Sequence, residues 1–218
     1  MVTLSFALMA VLVVAMIIVE GQRLPRAVYA TLKMIAATLF VVVGAAVTKI
    51  EHTDGARFFV AGLALSWLGD LLLVPKGHKK VFLAGLVAFL IAHVVYVPAF
   101  VLRGFDVRGF VGGLAFVAVP IVVVLRWLRP TVKGTMWAAV VAYVFVISAM
   151  VCTAAACVVA GGSRDGVSPV LGVGALAFWF SDILVARERF VKSDYINRVF
   201  GIPLYFFAQL LLIEGFVG

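Results

Sequence analysis

Long apolar runs separated by short polar segments form the main pattern of this sequence. A membrane-spanning helix needs about 20 mostly apolar residues, and eight runs approach that length: about 2–19, 28–48, 57–75, 81–101, 109–127, 135–159, 168–186 and 199–217. The runs lack the strict alternation of a membrane barrel, which favours helices. Because lipid offers the backbone no hydrogen bonds, each span must also satisfy its own polar groups. The pattern predicts an all-α integral membrane protein with eight transmembrane helices in a single transmembrane domain, residues 1–218.

The proportion of apolar residues excludes the soluble classes of protein. Hydrophobic residues make up 65% of the 218 residues and charged residues only 13%, whereas soluble domains have about 45–50% and about 25%. A soluble domain of this size has too much surface for its volume to hide so many apolar side chains. The expected partners are therefore membrane lipids, and nucleic acid is not expected despite the net charge of +8.

The basic residues are distributed unevenly between the two sides of the predicted membrane domain. Lys and Arg are more frequent in the first, third, fifth and seventh connections between runs than in the second, fourth and sixth. Because basic residues accumulate in cytoplasmic connections, this bias places the odd-numbered connections in the cytoplasm and both termini outside. The third connection is especially basic, with Lys76, Lys79 and Lys80, and it would also attract lipid phosphate groups.

A short sequence motif occurs twice. Residues 62–70 read Gly-Leu-Ala-Leu-Ser-Trp-Leu-Gly-Asp, and residues 174–182 read Gly-Ala-Leu-Ala-Phe-Trp-Phe-Ser-Asp. Glycine, tryptophan and aspartate match, and the two copies are separated by about half the chain. The correspondence predicts two parallel four-helix repeats, residues 1–108 and 109–218, related by an axis along the membrane normal. Such an axis would bring Asp70 and Asp182 together near the centre of the bundle.

Ten polar side chains within the predicted spans are candidates for a site. An ionisable side chain that faces lipid at mid-depth costs at least about 2.5 kcal/mol, so these side chains should face the interior. Helical spacing and depth predict a polar cavity in the cytoplasmic half. The alternative is that they only join helices by hydrogen bonds. The ionisable candidates are Lys33, Asp70, His93 and Asp182, and the uncharged ones are Ser66, Tyr96, Tyr143, Ser181, Tyr205 and Gln209.

Two common kinds of hydrolytic site have no signature in the sequence. No grouping of Cys, His and carboxylate residues has the spacing of a metal site. Cys152 and Cys157 lie in one apolar run and are interpreted as packing residues. No Gly-x-Ser-x-Gly segment is present, so a serine lipase is not indicated. We therefore expect neither a metal nor a cofactor.

Four segments together resemble the YhhN family, the lysoplasmalogenase family of eight-helix membrane proteins. They are the two copies of the repeated motif, His93-Val-Val-Tyr96 and Tyr205-Phe-Phe-Ala-Gln209, and they occur in the order and spacing of that family. Lys33 also matches a lysine of the family pattern, although Met34 follows it where the family often has proline. The resemblance covers nearly the whole chain, and it implies a location in the bacterial inner membrane.

The resemblance implies hydrolysis of the vinyl-ether bond of a lysophospholipid, the lysoplasmalogen. The products would be a fatty aldehyde and glycerophosphocholine or glycerophosphoethanolamine. Such a bond breaks when an acid protonates the outer alkene carbon and water adds to the resulting oxocarbenium ion. Two carboxyl groups in different environments can supply this chemistry, as they do in glycoside hydrolysis.

The candidate residues therefore receive roles as follows. Asp70 and Asp182 would be the catalytic acid and base, in either order. Lys33 would hold one of them ionised or bind the lipid phosphate. The residues expected to bind substrate, together with Lys33, are Ser66, His93, Tyr96, Tyr143, Ser181, Tyr205 and Gln209.

Two other function classes are compatible with the same pattern. Intramembrane acids, a lysine and a histidine in a parallel repeat also suit a proton-coupled transporter of small molecules or lipids. A lipid-binding scaffold without turnover is the third interpretation. The oligomeric state is left open.

Overall fold

The computed structural model describes residues 2–48, 54–75, 77–161 and 167–218. Within these ranges the chain forms eight α-helices, and each predicted apolar run overlaps one of them. The helices are α1 (Val2–Gly21), α2 (Arg26–Thr48), α3 (Asp54–Leu73), α4 (Lys79–Arg103), α5 (Val107–Leu128), α6 (Thr135–Gly161), α7 (Val170–Ala186) and α8 (Tyr195–Val217).

All eight helices are long and apolar enough to cross a membrane. The prediction of an all-helical protein with eight spans is therefore confirmed. Lys76 lies outside the described residues, while Lys79 and Lys80 form the exposed first turn of α4.

Polar residues that flank the apolar runs set several helix ends. The Asp106 carboxylate accepts a hydrogen bond from the backbone N–H of Arg108 at 2.8 Å, so α5 begins before its apolar run does. The Asp194 carboxylate caps α8 in the same way, at 3.4 Å from the N–H of Ile196. Both are N-caps, which satisfy backbone donors that the helix cannot satisfy itself. Hydropathy alone therefore places these two starts too late.

A π-helical turn, Arg187–Val191, extends α7 and was not expected from the sequence. It carries the chain on from α7 with no break in helical backbone, and it places Glu188 and Arg189 at the edge of a cavity. A π-turn is typically short and often lies at a functional site.

Contacts between distant residues show which helix ends lie together. Arg198 of α8 pairs with Glu20 of α1, and the ring of Phe82 in α4 meets that of Phe190 in the π-turn at 5.8 Å. The C-terminal end of α1, the N-terminal ends of α4 and α8 and the π-turn are therefore at one end of the bundle, called here the mouth end.

Small residues allow close approach of neighbouring helices. A Cβ atom on Gly109 of α5 would lie 2.5 Å from the carbonyl oxygen of Ala155 in α6, and one on Gly113 would lie 2.9 Å from Cα of Cys152. Helix pairs in membranes commonly pack through such small residues, because dispersion contacts replace the hydrophobic effect there. These glycines fix α5 against α6 away from the mouth end.

Candidate active site

A cavity of about 540 Å³ opens at the mouth end and reaches into the bundle. Its volume lies within the range typical of small-molecule sites. Five of the ten predicted site residues line it: Lys33, Asp70, Tyr143, Asp182 and Tyr205. In the part of the chain that the structure describes, no three His, Cys, Asp or Glu side chains lie together as metal ligands would.

Asp70 is a buried carboxylate with a cationic partner. Its side chain is 3% exposed, and its Oδ1 lies 3.0 Å from the Lys33 ammonium. The same ammonium donates a hydrogen bond to the backbone carbonyl of Asp70 at 3.2 Å. The Tyr205 hydroxyl donates to Oδ2 at 2.6 Å. A charge taken out of water persists when it is both paired and hydrogen-bonded, and Asp70 meets both conditions.

Asp182 has different surroundings. The Tyr143 hydroxyl donates a hydrogen bond to its Oδ2 at 2.7 Å. No Lys or Arg among the described residues forms an ion pair with it. Both carboxyl groups line the same cavity. The cavity therefore presents one carboxyl group with a cation and one without.

Tyr96 and Gln209 lie behind Tyr205, and neither lines the cavity. The Gln209 amide N–H donates to the Tyr205 hydroxyl at 3.4 Å, and the Tyr96 hydroxyl donates to the Gln209 amide oxygen at 3.3 Å. Both residues are fully buried. The two side chains therefore reach Asp70 only through Tyr205.

The other three predicted residues, His93, Ser66 and Ser181, are fully buried and do not line the cavity. Nδ1 of His93 lies 2.6 Å from the carbonyl oxygen of Phe89, one turn earlier in α4. The Ser181 hydroxyl donates to the carbonyl oxygen of Phe178 at 2.7 Å. The sequence indicated their depth in the bundle, but it did not indicate that they are enclosed outside the cavity lining.

Aromatic rings surround the two tyrosines that contact the aspartates. Phe89 and Phe178 meet the Tyr205 ring edge-on, at centroid distances of 5.8 Å and 5.3 Å. The His93 ring meets the Tyr143 ring at 5.3 Å in the same manner. Edge-to-face contacts hold ring positions in packed interiors. The neighbouring rings therefore fix the direction of the Tyr205 and Tyr143 hydroxyls.

Corresponding hydrogen bonds join α2 to α3 and α6 to α7. The indole N–H of Trp67 donates to the Thr38 hydroxyl at 3.1 Å, and that of Trp179 donates to the Ser148 hydroxyl at 3.1 Å. The same helix pairs carry the Lys33 contact to Asp70 and the Tyr143 contact to Asp182. The Tyr143 hydroxyl between α6 and α7 therefore occupies the position that the Lys33 ammonium occupies between α2 and α3.

The cavity mouth holds charged residues that the sequence did not single out. Arg198 Nη1 lies 2.6 Å from Glu20 Oε2, and its Nε lies 3.9 Å from Glu188 Oε1. Arg26 and Arg189 also line the mouth. The sequence feature that could have identified the mouth is the position of Glu20 and Glu188, which follow apolar runs and lie beside basic connections. The basic residues had been interpreted only as markers of membrane topology.

Three comparisons relate the chain to known proteins. It is 30% identical to the lysoplasmalogenase of Mycobacterium bovis over 182 residues, which cover 78% of this chain and 65% of that protein. It is 27% identical to the lysoplasmalogenase TMEM86A of Bos taurus over 169 residues, covering 75% and 66%. With the human TMEM86A protein the identity is 29%, with the same coverage of 75% and 66%.

The matched region spans just under two thirds of the length of these relatives. No solved structure matches the chain significantly. The model of the YhhN family matches residues 26–216, which contain α2 to α8 almost completely. The chain therefore belongs to the YhhN family.

Proposed function

We propose that the protein is a membrane lysoplasmalogenase. It hydrolyses the vinyl-ether bond of a lysophospholipid to a fatty aldehyde and glycerophosphocholine or glycerophosphoethanolamine. The observation that carries the proposal is the pair of cavity-lining aspartates, one with a cationic partner and one without. The names of the relatives support the enzyme and give no support to the transporter that the sequence left as an alternative.

Asp182 is the proton donor in this mechanism. It has no cation beside it among the described residues, and the nearby Asp70 charge disfavours a second negative charge. Its carboxyl group transfers its proton to the outer carbon of the vinyl ether, and the ether oxygen and its carbon share the positive charge that results. Tyr143 donates to one oxygen of Asp182 and leaves the other free to carry the proton.

Asp70 acts as the base. Its negative charge, held by Lys33, stabilises the oxocarbenium ion by electrostatic attraction. Water adds to the cationic carbon and gives a proton to Asp70, which forms a neutral hemiacetal. The hemiacetal hydroxyl then returns a proton to Asp182, while Asp70 protonates the departing glycerol oxygen. Both carboxyl groups end as they began, and one water is consumed.

The hydrocarbon chain of the substrate has an apolar path from this centre. The cavity walls between α4, α5 and α6 carry Leu86, Val124 and Val144. A long chain lies there with its far end toward lipid, so the vinyl ether at its base meets the aspartates. The path leaves the phosphate and headgroup on the side of the mouth.

We also infer that the bundle arose by duplication and sits with its mouth facing the cytoplasm of a bacterial inner membrane. The corresponding Trp67 and Trp179 hydrogen bonds support the two repeats. The excess of basic residues in the odd-numbered connections supports the orientation.

The proposal is tested by aldehyde release from a lysoplasmalogen, using purified protein in detergent. Asp182→Asn removes the proton donor, and we expect a loss of at least about 100-fold in turnover. Asp70→Asn removes the base and should be equally inactive. Asp106→Asn is the matched control, because Asp106 pairs with Arg108 away from the cavity.

An ester lysolipid with the same chain serves as the substrate control. Aldehyde from wild type and Asp106→Asn, but not from the two site variants, would support the proposal. Near wild-type rates in both site variants would refute the paired-carboxyl mechanism. Absence of aldehyde from folded wild-type protein, with both headgroups, would refute the activity.

A further inference from the structure

The cavity mouth carries charges of both signs, arranged about one guanidinium. We propose that the mouth is a binding site for a zwitterionic headgroup, in which Glu20 and Glu188 bind the ammonium and Arg26, Arg189 and Arg198 bind the phosphate. This inference rests on the proposed function, because it assigns the headgroup end of the same substrate. It makes the glutamates determinants of headgroup specificity, separate from the reacting carboxyl groups.

The separation between mouth and reaction centre matches the lipid. Arg26 precedes Lys33 in α2, Arg198 precedes Tyr205 in α8, and Glu188 follows Asp182 beyond α7. Each pair is about two helical turns apart, or roughly 10 Å at 1.5 Å per residue.

An extended glycerophosphoethanolamine spans that distance. Five bonds join the vinyl-ether oxygen to phosphorus and four more reach the amine nitrogen, roughly 7 Å and 11 Å at bond lengths near 1.5 Å. With the vinyl ether at the aspartates, the ammonium therefore reaches the mouth, and the phosphate lies about 3 Å below it, a gap that long arginine side chains can bridge.

Three hydrogen-bond donors hold Glu188 in position. Glu188 accepts hydrogen bonds from the Ser193 hydroxyl at 2.6 Å, the Asp194 backbone N–H at 2.8 Å and the Asn197 amide at 2.9 Å. These donors fix its carboxylate at the rim of the cavity, where it is about a quarter exposed. Such supporting contacts are what a specific binding site requires.

Arg198 forms ion pairs with both glutamates, but one of its N–H groups is left without a hydrogen-bond acceptor among the described residues. It binds Glu20 closely, yet its Nε atom is buried and has no hydrogen-bond acceptor among the described residues. A bound phosphate oxygen would supply that acceptor, since charge-assisted bonds from guanidinium to phosphate are strong. The guanidinium carbon of Arg189 lies 4.1 Å from the centroid of the Phe82 ring, a cation–π contact that holds this arginine at the mouth.

The rival explanation is that this cluster only ties α1, α8 and the π-turn together. The two explanations differ in what a neutral side chain does to different substrates. A structural tie affects every substrate equally, whereas an ammonium site affects only substrates that carry an amine.

The experiment uses two alkenyl substrates of equal chain length, one ending in phosphoethanolamine and one in a bare phosphate. For Glu20→Gln and for Glu188→Gln we expect kcat/KM to fall about 10- to 100-fold with the amine, the range of a hydrogen bond to a charged group. With the bare phosphate the loss should be several-fold smaller, because that substrate carries no ammonium for the glutamates to bind. Glu214→Gln, an exposed glutamate at the other end of α8, is the matched control and should change neither value.

Equal losses on both substrates would overturn the headgroup site and leave the structural tie. Diacyl phosphatidylethanolamine added to the assay distinguishes substrate from bulk lipid. Strong inhibition by it, lost in Glu20→Gln, would show instead that the mouth holds membrane phospholipid.

A second measurement separates failure of this inference from failure of the proposed function. Glycerophosphoethanolamine should raise the thermal unfolding temperature of wild-type protein and not that of Glu20→Gln, while glycerol phosphate should affect both alike. If the unfolding temperatures change as expected but no substrate releases aldehyde, the proposed activity is refuted and the headgroup site is retained. The absence of any difference between the two ligands would overturn the headgroup site itself.

Discussion

At the scale of the residue, the difference between the two aspartates is the central feature of the site. The repeated motif places Asp70 and Asp182 at corresponding positions, and nothing in that motif separates their roles. The structure separates them, because Lys33 reaches Asp70 while a tyrosine reaches Asp182. Of the two roles expected of Lys33, its contacts with the side chain and the backbone of Asp70 support the proposal that it holds this aspartate ionised.

The first prediction concerns this ion pair. Lys33→Met leaves a buried carboxylate without its counter-charge, which typically costs about 3–5 kcal/mol. The double variant Lys33→Met with Asp70→Asn removes both charges and should recover most of that stability, but not the activity. Thermal unfolding in detergent and aldehyde release measure the two quantities.

Arg108→Met is the control for the ion-pair prediction. It also breaks an ion pair with an aspartate, but that pair is exposed and should affect neither quantity. If the loss of stability in the double variant equals the sum of the losses in the two single variants, the prediction is contradicted. Such additivity would mean that the two charges do not stabilise each other.

At the scale of the element, close helix packing determines where the polar groups are held. The glycines of α5 allow this helix to lie against α6, which carries Tyr143 and Val144 of the cavity wall. The sequence predicted the spans but not their packing partners, because every apolar face of such helices resembles the others. The π-turn after α7 was also unpredicted, since its five residues have no distinct hydropathy signature.

The second prediction contrasts two glycines of α5. A methyl group on Gly109 would meet the Ala155 carbonyl oxygen and Ala156 Cα at 2.5 Å and 2.8 Å, whereas one on Gly112 would meet nothing within 4 Å. Gly109→Ala should therefore destabilise the protein by about 1–3 kcal/mol, the usual cost of overpacking. Gly112→Ala should be neutral or slightly stabilising, because alanine is the better helix former. Thermal unfolding of both variants in the same detergent measures this, and equal values would contradict the packing of α5 against α6.

At the scale of the whole molecule, the orientation of the cavity mouth decides which leaflet supplies the substrate. The mouth end contains the C-terminal end of α1 and the N-terminal ends of α4 and α8. These ends adjoin odd-numbered connections, which we propose to be cytoplasmic because basic residues are in excess there. The substrate would therefore enter from the cytoplasmic leaflet.

The third prediction tests this orientation by cysteine labelling in intact cells. The native Cys152 and Cys157 are buried and are first replaced by alanine. Arg108→Cys, next to the fourth connection, should react with a membrane-impermeant thiol reagent added outside. Lys133→Cys, in the fifth connection, should react only after the cells are opened. Each variant removes one positive charge, so the pair is matched, and the reverse labelling pattern would refute the orientation.

The sequence by itself determined the number of spans and the set of intramembrane polar residues. Both depend on local properties: a run of about 20 apolar residues spans a bilayer wherever it occurs, and an ionisable side chain in lipid is costly in any helix. Only the tertiary structure decided which aspartate has a cation, that His93 is buried outside the cavity lining, and that Glu20 meets Arg198 across 178 residues of chain. Those outcomes depend on which helix faces pack together, and this is a property of shape complementarity among helices that hydropathy does not encode.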